Sequence, residues 1–93
     1  MDEIYMYTIN GRRTELTCYR SIEKASAYAL DYLKMHTNDY DGRLGKMIEL
    51  DLEPTDDWRI VKKYIVKEML DSMDSMFNDV CVHTIVIWRI GLI

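Results

Sequence analysis

The sequence predicts a two-layer α+β sandwich, and three observations carry that reading. Asn10-Gly11 sits between two alternating segments, the strongest two-residue hairpin signal, because both positions of a type I′ turn need positive φ. Ser21 precedes a run in which Ile22, Ala25, Ala29, Tyr32, Leu33 and His36 recur at helical spacing. The chain finishes on VCVHTIVIWRIGLI, apolar on both faces of an extended strand, which is the pattern of a central strand.

Taken in order, EIYMYTINGRRTELTCY reads as a hairpin in which Tyr7 faces Thr14 and Tyr5 faces Leu16. Its core face carries Tyr5, Tyr7, Ile9, Leu16 and Cys18, and its other face Ile4, Met6, Arg13, Glu15, Thr17 and Tyr19. SIEKASAYALDYLKMH reads as a helix, and TNDYDGRLG as a turn-rich loop. KMIELDLEP alternates, with Ile48, Leu50 and Leu52 on one side and Met47, Glu49, Asp51 and Glu53 on a wet face. TDDWRIVKKYIVKEMLDSMDSMF reads as a second helix, capped by Thr55, with Asp56 and Asp57 at its positive end and a stripe of Trp58, Val61, Ile65, Met69, Met73 and Met76. In the last strand Val80, Val82, Val86, Trp88 and Leu92 share one face, and Cys81, His83, Ile85, Ile87 and Ile93 the other.

The predicted order is therefore ββαβαβ, one domain over residues 1–93. A right-handed parallel crossover through the second helix gives a four-stranded mixed sheet of order 2-1-4-3, with two helices packed on one face. An arrangement with one helix on each face is the alternative. With both helices on one face, the set containing Ile85 and Ile87 is left uncovered together with Ile4, Met6, Tyr19 and Met47. Such a patch predicts a homodimer through the open sheet face or a protein partner docked there.

Composition narrows the function classes. Sixteen acidic residues against twelve basic ones give a net charge of −4, which disfavours general affinity for phosphate backbones. The opening MDEIYMYTI has neither the basic nor the apolar region of a signal peptide, so the expected location is the cytoplasm, where Cys18 and Cys81 stay reduced. No apolar run reaches the roughly 18–20 residues of a membrane span.

Chemistry is sparse. Cys18, His36, Cys81 and His83 are zinc-ligand types, but without paired-ligand spacing they read as structural residues, and no metal or cofactor is predicted. Cys81 and His83 lack an orienting third group and an oxyanion hole, and no nucleophile or phosphate-loop motif occurs, so the chain is read as a non-enzyme. Arg59, Lys62, Lys63 and Lys67 form a basic stripe on the predicted second helix, a candidate nucleic-acid contact whose plain reading is a solvated helix face. Glu49, Asp51 and Glu53, extended by Asp39, Asp41, Asp56 and Asp57, form an acidic row suited to a basic nucleic-acid channel of another protein, where it would imitate phosphates; its plain reading is a wet strand face with acids flanking a helix start. Tyr19, Tyr28 and Tyr40 are candidate exposed anchors, since tyrosine is enriched at interfaces.

The stretch INGRRTELTCYRSIEKASAYALDYL, a hairpin feeding an S-x-E-x-A helix, resembles the front half of many small phage-encoded proteins. With the acidic balance and the absence of catalytic motifs, the chain is similar in style to anti-CRISPR and related anti-defence proteins. That resemblance implies a stoichiometric inhibitor in the host cytoplasm that occupies a surface of a nucleic-acid-processing complex. The residues expected to make contact are Glu49, Asp51, Glu53, Asp56, Asp57, Tyr19 and Tyr40.

Overall fold

The computed structural model describes residues 3–37, 44–70 and 79–92. It contains strand β1 (Glu3–Ile9), helix α1 (Ile22–His36), and strands β2 (Ile48–Leu50), β3 (Ile60–Leu70) and β4 (Asp79–Leu92). The sheet has the order β1-β4-β3-β2, and every neighbouring pair is antiparallel. The class is α+β, as expected, but the expected architecture is overturned. One helix, not two, is present among the described residues. The sheet is antiparallel rather than mixed, and its order is not 2-1-4-3.

The turn at Asn10-Gly11 forms as its residues dictate. Asn10 has φ 53° and Gly11 φ 79°, and Ile9 and Arg12 exchange backbone hydrogen bonds at 2.9 and 3.0 Å. The returning arm does not become a strand. Pairing resumes only at Tyr19, whose backbone exchanges bonds of 2.7 and 2.8 Å with Tyr5, in place of the expected Tyr5–Leu16 register. The extra residues arch outward, and the Arg13 guanidinium ties the arch together by donating to the carbonyls of Glu15 and Leu16, each at 3.1 Å. Leu16 and Cys18 are consequently exposed, and Tyr19 takes the core position assigned to them.

Helix α1 starts where its cap places it: the Ser21 hydroxyl accepts from the Lys24 backbone N–H at 3.0 Å. Its buried face is Ala25, Ala29 and Leu33, small enough at two positions to let the helix lie close against β1 and β4.

The second predicted helix is the principal correction. Residues 60–70 are an eleven-residue strand, and residues 71–77 lie outside the described residues. Apolar residues in this segment fit both periods, but Ile60, Val61, Ile65 and Val66 are β-branched. Such side chains lose rotamer freedom in a helix and pack well on a pleated surface. The partner segment decides the matter: β4 offers a strand long enough to pair with β3 from Ile60 to Leu70. The long β3–β4 hairpin takes the place of the parallel crossover.

The core lies between α1 and one sheet face. Val66, Ile85 and Ile87 are fully buried, with Tyr5, Tyr7, Ile9 and Tyr19 around them. Tyr7 and Tyr19 both donate their hydroxyls to Oε1 of Glu15. Burial, reinforced by the Glu15 carboxylate, pushes Tyr7 up from 10.0 to about 12 and Tyr19 further still. A raised phenol value means that the fold binds the proton more tightly than the unfolded chain does. This contribution is therefore complete below the ordinary tyrosine value and is lost as pH rises from about 10 through about 12. Absorbance titration of tyrosinate should show Tyr7 and Tyr19 ionising together with loss of tertiary structure. Their ionisation at the ordinary value with the fold intact would contradict the burial described here.

Candidate functional site

The face of the sheet away from α1 has no cover among the described residues. Register fixes its membership: Met69 stands opposite Val80, Lys67 opposite Val82, Ile65 opposite Thr84 and Ile48, and Lys63 opposite Val86 and Leu50. Met6 and Thr8 of β1 complete it beside Trp88 and Val86. Met69, Val80, Val82 and Ile48 are between 44% and 49% exposed, an unusual state for aliphatic strand residues facing one direction. The Trp88 indole N–H donates to the Thr8 hydroxyl at 3.0 Å, so the polar atoms at this end of the face satisfy each other. An open face was expected, but with the last strand turned over. Ile85 and Ile87 are in the core, and Val80, Val82, Val86 and Trp88 look outward. Ile4 and Met6 lie on the open side by alternation, whereas Tyr19 and Met47 belong to the covered core.

The predicted acidic row and basic stripe meet one another. Because 60–70 is a strand, the bases do not form a helical stripe. Lys62 pairs with Glu49 at 2.8 Å, Lys63 with Asp56 at 2.9 Å, and Arg59 with Asp57 at 2.8 Å. The Asp57 carboxyl is lowered to about 2, chiefly by the Arg59 side chain. Asp56 is lowered by the Glu53 backbone N–H and then by Lys63, and Lys62 is raised by Glu49. Three acids of the row are thus matched by three bases of the stripe. Asp51 and Glu53 are exposed, and Lys67 projects from the open face with no ion-pair partner among the described residues.

Of the tyrosine anchors, Tyr28 is exposed, Tyr19 is buried with 8% exposure, and Tyr40, like Asp39 and Asp41 of the acidic row, lies outside the described residues. The half-exposed apolar side chains of the open face are instead Met69, Val80 and Val82. For β4 the signal is the shared face of Val80, Val82, Val86 and Trp88, which alternation makes legible but does not orient.

Among the described residues, one cluster of metal-ligand types does assemble. Glu68, Cys81 and His83 hold their ligand atoms within 4.8 Å of one another on the helix side of the β3–β4 hairpin. Cys18 is on the distant arch and His36 at the end of α1. The hydrogen bonding around His83 opposes coordination. Asn10 accepts from the Thr84 backbone N–H through Oδ1 at 2.9 Å, which directs its Nδ2 donor at His83 Nδ1, 3.1 Å away. Nδ1 is then the acceptor and Nε2 carries the proton, which points at Glu68 Oε1, 2.9 Å away. A metal on Nε2 needs the proton on Nδ1, facing another donor. The same bonding keeps Cys81 from being activated by His83, since neither ring nitrogen is directed to it.

Asn10 therefore joins the turn to the sheet. Replacing it with alanine should cost about 2 kcal/mol, roughly half from forcing a Cβ-bearing residue into positive φ and half from lost hydrogen bonds. Glycine, which tolerates the conformation, should recover about 1 kcal/mol. Denaturant midpoints of the two variants check this. Equal losses would show that the turn conformation contributes nothing.

Comparison with protein-family models, with curated proteins and with solved structures returned no match.

Proposed function

We propose that this chain is a non-catalytic binding protein of the inhibitor type, which occupies a surface of a partner protein through its uncovered sheet face. The observation that supports this reading is the set of half-exposed aliphatic side chains on one side of the sheet, with the single described helix on the other. Three strands at about 4.8 Å spacing with some seven residues of about 3.4 Å each, and the three residues of β2, define a face of roughly 400 Å². That is within the range of the largest surface patch on a monomer, which is often a functional one.

The edges direct recognition to the face. The outer edge of β1 is already bonded to Arg12 and Tyr19, and β2 is only three residues long, so strand addition has little to pair with. Charge selects the occupant. With Lys62, Lys63 and Arg59 neutralised by their acids, Lys67 is the residual basic charge on this face among the described residues. A flat apolar partner surface carrying a carboxylate fits it, whereas a second copy brings a second Lys67. The mode is that of the anti-defence proteins the sequence resembles, with a nucleic-acid-processing complex as the expected target.

The test combines light scattering with capture from host lysate, with and without nuclease. A monomer that captures a protein in the presence of nuclease, and loses it on Val82→Asp but not on Glu49→Gln, supports the reading. A dimer that Val82→Asp dissociates would assign the face to a second copy. Recovery of nucleic acid, lost on replacing Arg59, Lys62, Lys63 and Lys67, would assign the function to those bases.

A further inference from the structure

On the opposite side of the molecule, where α1 meets the arch between Arg12 and Tyr19, a small open cavity of about 230 Å³ is lined by Tyr7, Glu15, Tyr28, Asp31, Tyr32 and Met35. Three of its six walls are phenol rings, two are carboxylates and one is a thioether. Among the described residues no basic one lines it, and neither Glu15 nor Asp31 forms an ion pair. The rings are held in place by one another. Tyr7 lies 6.4 Å from Tyr32 and 6.1 Å from Tyr19 between ring centroids, and Tyr28 stacks on Tyr19 at 5.1 Å. Glu15 is fixed by the two hydroxyls it accepts. Tyr28 remains 53% exposed and Met35 75%, so the mouth is open to a ligand.

Aromatic faces attract a cation through the ring quadrupole, and the attraction grows where carboxylates add to it. The volume falls below the roughly 300–1,000 Å³ of sites for drug-sized molecules, which restricts the occupant to a small group. A bare divalent ion asks for a shell of oxygen ligands, and rings do not provide one. We infer that this cavity is a binding site for an alkylammonium group, either the side-chain end of a lysine or methyl-lysine on a partner or a free small amine. The inference is independent of the docking face, since the sheet separates the two.

The test is a titration followed by tyrosine resonances and by calorimetry, using choline and its neutral isostere 3,3-dimethylbutan-1-ol as probes. Choline is expected to bind with a Kd on the order of 1 mM and to shift the Tyr28 and Tyr32 resonances, with the isostere at least about tenfold weaker. Tyr28→Leu and Asp31→Asn, both at exposed helix positions, should each weaken choline about tenfold; Asp31→Asn should leave Tm in place, whereas Tyr28→Leu, which gives up the stacking on Tyr19, should lower it by a few degrees. A capped lysine or trimethyl-lysine peptide that binds tighter than butylamine would assign the group to a partner's side chain. The reverse order would assign it to a free amine. Equal binding of choline and its isostere, unshifted tyrosine resonances, or full affinity in both variants would overturn the inference.

Discussion

Ile87→Ala is expected to destabilise the fold by about 3 kcal/mol, the cost of removing buried methylenes and leaving a cavity that the surroundings only partly fill. Ile87 has no exposed surface. It sits at the middle of β4, opposite Tyr7 of β1 and Lys62 of β3, so backbone on both sides holds the cavity open. For a chain of this size the loss corresponds to a fall in Tm of about 15 °C. The informative comparison is Val82→Ala on the same strand. Val82 is 49% exposed, and truncating it should cost under about 0.5 kcal/mol. Denaturant unfolding of the pair would show a large fall in midpoint for Ile87 and almost none for Val82, with unchanged slopes. Similar costs at both positions would mean that β4 is covered on both faces, and the docking surface proposed above would not exist.

That comparison also marks where the sequence stops being informative. The positions with local causes were legible: the positive-φ turn at Asn10-Gly11, the Ser21 cap, the Ala25–Ala29–Leu33 face of α1, and the edge strand at Ile48–Leu50. Each depends on residues within a few positions of one another. The failures all depend on distant partners. Periodicity alone does not separate a helix from a strand in WRIVKKYIVKEML, because Val61 and Ile65 suit one period and Tyr64 and Val66 the other. The choice is made by ten paired positions with β4, beyond the reach of a local window. A helix at 60–70 implies a parallel crossover and leaves the final strand with no constraint on which side faces inward. The candidate sites suffered the same way. The acids and bases stand out in the sequence as separate rows, but only the β2–β3 pairing shows that Glu49 meets Lys62, and the loop geometry that Asp56 meets Lys63. Glu68 did not stand out in the sequence because its partner His83 lies across the hairpin.

The second large effect is expected at Val82→Asp, which should reduce partner affinity at least about 100-fold while lowering stability by no more than about 1 kcal/mol. In the free protein the new carboxylate keeps its water, because the side chain stands on a half-exposed surface beside Lys67 and the hydrophobic core is on the other side of the sheet. In a docked complex it would be desolvated against an apolar surface, and dispersed aliphatic contacts offer no hydrogen bond in return. Lys67→Glu separates the two contributions at this position. It leaves the apolar face intact and reverses the residual charge, so about tenfold weakening is expected, stronger at low salt. Surface plasmon resonance on the captured partner at two salt concentrations measures both. A partner that binds both variants with wild-type affinity yet loses Asp31→Asn would be contacting the tyrosine cavity, and recognition would belong to the helix side of the molecule. Loss with Val82→Asp and retention with Asp31→Asn would place it on the bare side of the sheet, where the apolar end of the sequence has its exposed face.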